Sequence, residues 1–179
     1  DAAGRVWGAP DAERRFRGRR SDQAHVEGAL RAAGSGSIGI TSTSPTVGVH
    51  GRGGLGKTAL VAKMVSDERV RRLFPDGVWW LTVGQDPSLR GLQRTLLEGL
   101  SVRDLEPDLT LDEGRRLLRS EMAERQALLV LDDVWDRLAL EAFDVMGPRG
   151  RIIMTTRRAA NLSAIEATAI ELDSLVGDA

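Results

Sequence analysis

The sequence lacks, or has few of, the residues on which several kinds of protein function depend. It contains no cysteine, and only two of its 179 residues are histidine. The lack of cysteine excludes disulfide bonds and thiol chemistry, and two histidines are too few for a histidine-rich metal site. No apolar run approaches the roughly 20 residues that a membrane-spanning helix needs, and no signal-peptide pattern is present. We therefore expect a cytoplasmic protein.

An excess of charge of one sign is also lacking. Basic residues number 25 and acidic residues 26, so the net charge is −1, which gives no support to nucleic-acid binding by bulk charge. The hydrophobic share of 41% and the charged share of 28% are those of a globular protein, and the length suits one domain. Lysine is rare, because every basic residue except Lys57 and Lys63 is arginine. This arginine bias suggests a GC-rich coding genome, and we expect a bacterial source.

The most informative segment is a complete phosphate-binding loop, G-x-x-x-x-G-K-[ST], at residues 51–58. It follows a predicted strand at residues 46–50 and opens a predicted helix. Glycines let successive backbone N–H groups point at one anion, and the helix N-terminus adds partial positive charge. Lys57 then reaches the β- and γ-phosphates, and the Thr58 hydroxyl holds Mg²⁺. The predicted nucleotide-binding residues of this segment are Gly51, Gly53, Gly54, Leu55, Gly56, Lys57, Thr58 and Ala59.

A second motif is the apolar run 128–131 followed by Asp132 and Asp133. A buried parallel strand reads as continuous Val and Leu, and carboxylates at its C-terminal end emerge where open α/β sheets bind ligands. This is a Walker B pattern, in which Asp132 holds Mg²⁺ through water and Asp133 orients or deprotonates an attacking water. The alternative is that the two acids merely cap the next turn. A phosphate loop upstream makes this alternative interpretation much weaker.

A third element is a short apolar strand that ends in Thr155, Thr156 and Arg157. An arginine there projects toward the same sheet edge as the phosphates, and its guanidinium can stabilise γ-phosphate charge. The alternative is a solvated surface arginine, of which the neighbouring Arg158 is an example. Spacing alone does not decide between the two.

The rest of the chain alternates predicted helices and strands. Residues 1–20 lack clear periodicity, a helix is predicted from Ser21 to about Ala33, and the Gly/Ser/Thr-rich segment from Gly34 to Pro45 is predicted as a loop. Thr110 and Glu113 fit a capping box. Five strands are predicted, at residues 46–50, 78–83, 128–132, 152–155 and 168–172. Leucines at helical spacing, interpreted as core rather than as a partner groove, are Leu89, Leu92, Leu96, Leu97 and Leu100. Such alternation predicts a mostly parallel sheet with helices on both faces.

These motifs resemble the NB-ARC nucleotide-binding domain of the STAND proteins, the signal-transduction ATPases with numerous domains. The resemblance runs from about residue 16 to 175 and has five parts. They are the hydrophobic-x-Gly-Arg element at Phe16–Arg19, the phosphate loop, the strand Val78–Leu81, the L-D-D-V-W segment Leu131–Trp135, and the T-T-R segment Thr155–Arg157.

The resemblance implies an α/β P-loop NTPase fold, a three-layer α/β/α sandwich with a five-stranded parallel sheet. Numbered along the chain, its strands would have the order 2-3-4-1-5. It also implies that Phe16 and Arg19 lie over the adenine and ribose, although Phe16 also suits a core anchor for the following helix. The expected organisation is an N-terminal nucleotide-contacting segment at 1–20, the NB-ARC core at 21–175, and the start of C-terminal subdomains at 176–179.

The function that the resemblance implies is an ADP/ATP-operated switch core with Mg²⁺ and slow ATP hydrolysis, whose weak ATPase activity serves the switch. Expected partners are the helical, winged-helix, sensor and effector domains of its own full-length chain, with a possible nucleotide-dependent homo-oligomer. We expect no membrane or nucleic-acid partner for this segment. The rival is a dedicated fast ATPase or motor with Asp133 as general base. Many such machines have glutamate there, and aspartate favours the switch. A phosphotransferase is a third and weaker alternative.

Overall fold

The computed structural model describes residues 2–11, 19–32, 46–52, 54, 56–158, 160 and 168–172. These residues form a six-stranded sheet in which every neighbouring pair of strands is parallel. The strands along the chain are β1 (Val6–Trp7), β2 (Thr46–His50), β3 (Val78–Gly84), β4 (Leu128–Val134), β5 (Arg151–Thr156) and β6 (Thr168–Glu171). Their spatial order is β1-β3-β4-β5-β2-β6.

From β1 to β5, helices connect each strand to the next one along the chain, as parallel pairing requires. They are α1 (Arg20–Ala32), α2 (Lys57–Ser66), α3 (Glu68–Arg71), α4 (Leu89–Gly99), α5 (Leu111–Met122) and α6 (Arg137–Ala142). Helix α5 begins at the predicted capping box, in which Thr110 N donates to Glu113 Oε2 at 2.9 Å and Glu113 N donates to Thr110 Oγ1 at 3.3 Å. Among the described residues, no helix combines the length and apolarity needed to cross a membrane.

The sheet is covered by apolar clusters on its two faces, so the predicted three-layer α/β/α sandwich is confirmed. Within β4, Leu129 and Leu131 face the cluster of α4, α5 and α6, while Leu128 and Val130 face the cluster of α1, α2 and α3. This double burial explains the continuous apolar run. The α4 leucines at helical spacing lie in or against the first cluster, which confirms them as core.

The predicted order of five strands is confirmed within a sheet that has one strand more. The five predicted strands are β2 to β6, and their order β3-β4-β5-β2-β6 is 2-3-4-1-5 in the numbering used above. The expectation of five strands was wrong by one strand, because residues 1–20 lack a periodic pattern from which a strand can be predicted. Val6 and Trp7 instead pair with Val78 and Trp79 at the sheet edge.

Two glycines that flank β1 allow this strand to lie close to β3 and to the segment before it. A Cβ on Gly4 would overlap the carbonyl oxygen of Phe74, and one on Gly8 would lie 2.7 Å from the carbonyl oxygen of Trp80. Gly8 also has a φ of 75°, in the left-handed region that favours glycine. The loop predicted at residues 34–45 and the domain boundary predicted at 175–176 lie outside the described residues.

Candidate functional site

The phosphate-binding motif lies where β2 passes into α2. Gly54 and Gly56 have φ values of 81° and 79°, so both take the left-handed conformation. A Cβ on Gly54 would meet nothing within 4 Å, so this position requires glycine for its backbone conformation and not for space. Gly56 directly precedes the first residue of α2, and the motif therefore ends at a helix N-terminus. Gly53 and Leu55 lie outside the described residues.

Lys57 folds back over the loop. Its side chain is buried, and its Nζ donates to the carbonyl oxygens of Gly51 at 2.8 Å and Arg52 at 2.7 Å. An ammonium group has three protons, so one remains for a further acceptor. Burial lowers the pKa of Lys57, and the positive charge of Arg157 lowers it further, against the opposing effects of Asp133 and Asp132. A bound anion would relieve both unfavourable effects.

The hydroxyl of Thr58, from the phosphate-binding motif, contacts the carboxylate of Asp132, from the Walker B motif. Thr58 Oγ1 donates to Asp132 Oδ1 at 2.8 Å, and Asp132 is 5% exposed. A hydroxyl next to a carboxylate fits Mg²⁺, which takes one or two protein oxygens and completes its shell with water and phosphate. The described residues contain no group of three or more His, Cys, Asp or Glu that could hold a metal by themselves.

A β-bulge gives the two acids different backbone conformations. Leu131 pairs with Met154 and Val134 pairs with Thr156, so Asp132 and Asp133 together lie opposite one residue of β5, Thr155. Asp133 has a φ of 57°, which is unusual for a residue with a side chain. Its backbone N–H donates to Thr155 Oγ1 at 2.8 Å. The bulge turns Asp133 away from the regular alternation of the strand.

Arg157 follows the end of β5, next to the strand that leads into the phosphate loop. Thr156 pairs with His50, the last residue of β2. The Arg157 side chain is 52% exposed, and its Nε lies 3.9 Å from Asp133 Oδ1. Its guanidinium also lies over the ring of Trp135, 5.3 Å from the centroid. Arg157 thus lies beside the phosphate loop and lines the same cavity, and its function stays a prediction.

One cavity of about 470 Å³ brings these groups together. Its lining includes the loop and helix residues Gly54, Gly56, Lys57, Thr58 and Ala59, the acids Asp132 and Asp133, and Arg157. The cavity size suits a small-molecule ligand. Its other lining residues are Pro10, Asp11, Thr82, Ala62 and Thr155.

Sequence analysis missed Pro10 and Asp11 as site residues. They directly follow β1, and the pairing of β1 with β3 brings them to the carboxyl edge of the sheet. The signal was weak. It consisted of one Val-Trp pair followed by Gly8, in a segment without periodicity.

One member of the predicted adenine-contacting pair, Arg19, is among the described residues. Arg19 lies just before α1, is 8% exposed and has a φ of 56°. Its Nη1 contacts Asp22 Oδ2 at 2.9 Å. Arg19 is not among the described residues that line the cavity, and its contact with a nucleotide stays a prediction. Phe16 lies outside the described residues.

A solved structure has a similar architecture, and several curated proteins have similar sequences. Cdc6p from Pyrobaculum aerophilum superposes with a TM-score of 0.61 at 16% identity, over 89% of this chain and 46% of that chain. At that identity the likeness establishes the fold, an α/β sandwich around a parallel sheet.

Three curated relatives illustrate the sequence similarity. Apoptotic protease-activating factor 1 of Danio rerio is 34% identical over 143 residues, 74% of this chain and 11% of that protein. Its Homo sapiens counterpart is 38% identical over 120 residues, 62% of this chain and 9% of that protein. Disease resistance protein RGA2 of Solanum bulbocastanum is 31% identical over 125 residues, 67% of this chain and 13% of that protein.

The chain therefore spans about a tenth of the length of these relatives. The NB-ARC domain family matches residues 37–178. Because this match covers well over half of its length, the chain belongs to the NB-ARC domain family, the nucleotide-binding domains of the STAND P-loop NTPases.

Proposed function

We propose that the chain is the nucleotide-operated switch core of a multidomain STAND protein, in which ADP and ATP favour different conformations. The observation that carries the proposal is that one cavity is lined by groups suited to separate parts of a nucleoside triphosphate and its metal. These groups are Lys57, Thr58, Asp132 and Arg157. A switch of this kind needs a ligand that binds two states with different affinity.

The phosphate loop would bind the part that ADP and ATP share. The left-handed glycines and the N-terminus of α2 present backbone N–H groups and partial positive charge to the phosphates. The remaining proton of Lys57 Nζ would donate to a phosphate oxygen, and its two bonds to Gly51 and Arg52 fix the direction of that proton. This contact explains why a buried lysine is held in a loop that contains no acid.

Thr58 and Asp132 would hold Mg²⁺, which neutralises phosphate charge when it is bound. Thr58 Oγ1 would offer a lone pair to the metal and would still donate its hydroxyl hydrogen bond to Asp132 Oδ1, now 2.8 Å long. Asp132 would act through metal-bound water. These two ways of holding Mg²⁺ use only the Thr58 hydroxyl and the Asp132 carboxylate, which are already hydrogen-bonded to each other.

Arg157 would distinguish ATP from ADP. Its guanidinium lines the cavity and raises the positive potential near Lys57, which is the second cause of the lowered pKa of Lys57. An additional phosphate between these two cations would be attracted to both. ADP, which ends one phosphate earlier, would leave Arg157 with Asp133 and Trp135.

Slow hydrolysis suits the position of Asp133. A general base must accept the proton of an attacking water, yet the Asp133 carboxylate lies 3.9 Å from Arg157 Nε, next to a permanent cation. The bulge also gives Asp133 a backbone conformation that a regular strand would not have. In the fast-ATPase alternative, Asp133 would act as the general base.

Two measurements on the same preparation test this function. Hydrogen exchange with bound ADP and with a non-hydrolysable ATP analogue should differ around β4, β5 and α2, and steady-state phosphate release should be slower than the roughly 1–10³ s⁻¹ typical of dedicated enzymes. Identical exchange patterns would contradict a switch. Turnover within that enzymatic range would favour the fast-ATPase alternative.

A further inference from the structure

Thr155 forms a bridge between β5 and both acids of β4. Its side chain is 1% exposed. Thr155 Oγ1 donates to Asp132 Oδ1 at 2.6 Å and accepts the backbone N–H of Asp133 at 2.8 Å. The bulge places this one residue opposite the two acids, so the bridge follows from strand register.

The direction of each hydrogen bond in this bridge is fixed. A backbone N–H can only donate, so Thr155 Oγ1 is the acceptor toward Asp133. Its single proton is then directed to Asp132. Since Thr58 Oγ1 donates to the same oxygen at 2.8 Å, Asp132 Oδ1 accepts two hydrogen bonds from hydroxyl groups. Among the described residues no hydrogen bond reaches Asp132 Oδ2, so that oxygen stays available to an additional partner.

We propose that Thr155 is a positioning residue for the metal and for the bulge. Its hydroxyl fixes the rotation of the Asp132 carboxylate, so that Oδ1 accepts the two protein hydroxyls and Oδ2 would be left to hold a water of bound Mg²⁺. The same hydroxyl holds Asp133 in its left-handed conformation. This inference rests on the proposed role of Asp132 as the metal carboxylate.

A consequence is that nucleotide sensing and metal binding share one element. Thr155 lies two residues before Arg157, at the end of the same strand. A movement of this strand end caused by Arg157 would therefore reach Asp132 and Asp133 directly, through bonds of 2.6 and 2.8 Å. Buried hydrogen-bonded groups of this kind orient ligands that they do not themselves bind.

The test removes the hydroxyl with little change of shape. Calorimetry would compare ATP affinity with Mg²⁺ and with a chelator in wild type, Thr155→Val and Thr155→Ser. Thr155→Val should reduce the Mg²⁺-dependent gain in ATP affinity by about tenfold, the lower end for the loss of a supporting group around a metal. Affinity in chelator should stay the same, and Thr155→Ser should restore the gain. If valine beside Asp132 prevents folding, Thr155→Ala gives the same readout.

Thr156→Val is the matched control, because Thr156 is equally buried and adjacent. Its hydroxyl donates to the Val134 carbonyl at 2.8 Å and accepts from Arg158 N at 3.1 Å, with no bond to an acid. It should keep the Mg²⁺-dependent gain. Equal losses in both variants would overturn the positioning role, as would an unchanged gain in Thr155→Val. If the wild type bound ATP with the same affinity in Mg²⁺ and in chelator, Asp132 would not be the metal carboxylate. This inference would then fail together with that assignment.

Discussion

The guanidinium of Arg157 lies over the indole of Trp135, 5.3 Å from the ring centroid, at the wall of the nucleotide cavity. Arg158 approaches the same ring at 5.8 Å. The indole Nε1 is buried and has no hydrogen-bond partner among the described residues, so the ring acts mainly through its faces. Trp135 therefore supports Arg157 at the cavity wall, where the proposed function places the third phosphate.

Replacing Arg157 by alanine should weaken ATP binding and leave ADP binding nearly unchanged. One charge-assisted contact is worth about 1.5–3 kcal/mol, which corresponds to a loss of roughly ten- to a hundredfold for ATP. Calorimetric titration of Arg157→Ala with each nucleotide measures the ratio. Equal losses for both nucleotides would mean that Arg157 is structural.

The control for lost charge must be an arginine away from the cavity. Arg158 is unsuitable because it contacts Trp135 as well. Arg103 is exposed in the segment between α4 and α5. Since α4 starts at the carboxyl edge of the sheet and runs back, its far end lies at the opposite edge. Arg103→Ala should bind both nucleotides as the wild type does.

The ring itself should matter to ATP more than to ADP. A partly exposed cation–π contact is worth about 0.5–1 kcal/mol, so Trp135→Leu should weaken ATP binding by roughly two- to fivefold. Trp135→Phe keeps an aromatic face and should lose less. An ATP affinity that is the same in Trp135→Leu and wild type would show that Arg157 is positioned without the indole.

The meeting of the three motifs could be predicted from the sequence, because each lies at the carboxyl end of a parallel strand and such ends share one edge. The loop, Asp132 and Arg157 were found in this way. The strand order was not readable from local pattern and came from the family resemblance. It is confirmed because β5 lies between β4 and β2.

Other features depend on long-range geometry that no local pattern carries. Strand β1 is only two residues long, and its docking depends on space at Gly4 against Phe74. The bulge at Asp133 follows from the register of β4 against β5. The sequence predicts Arg158 as a solvated surface arginine, and its contact with Trp135 depends on the turn after β5.

Undocking β1 should weaken nucleotide binding from a distance. A Cβ on Gly4 would overlap the carbonyl oxygen of Phe74, so Gly4→Ala should displace the strand and withdraw Pro10 and Asp11 from the cavity. We expect a severalfold loss of ADP affinity and, as for overpacking generally, a stability loss of about 1–3 kcal/mol. Nucleotide titration and thermal unfolding measure the two effects.

Gly28→Ala is the matched glycine control. A Cβ there meets nothing within 4 Å, and the residue lies inside α1. The substitution should stabilise the helix by about 0.5–1 kcal/mol and leave affinity unchanged. Should Gly4→Ala bind ADP as tightly as Gly28→Ala does, the N-terminal segment would not belong to the nucleotide site.

Nucleotide binding should take up protons at alkaline pH. Burial lowers the pKa of free Lys57, and a bound polyanion favours the charged form, so the pKa rises on binding. Affinity should therefore be constant below the pKa of the free protein and fall as pH rises through it. Calorimetry in alkaline buffers of different ionisation enthalpy detects this uptake. Lys63→Arg, at an exposed position of α2, should retain it, and uptake that survives in Lys57→Arg would assign it elsewhere.

The most direct test of the account is the binding of Mg²⁺-ADP to wild type, Lys57→Ala and Lys63→Ala. The chain has only these two lysines, six residues apart on α2, and Lys57 is buried at the cavity whereas Lys63 is exposed. We predict that Lys57→Ala removes measurable binding, because a buried polyphosphate loses its charge-assisted partner, and that Lys63→Ala binds as the wild type does. Unchanged ADP affinity in Lys57→Ala would contradict the assignment of the phosphate-binding loop.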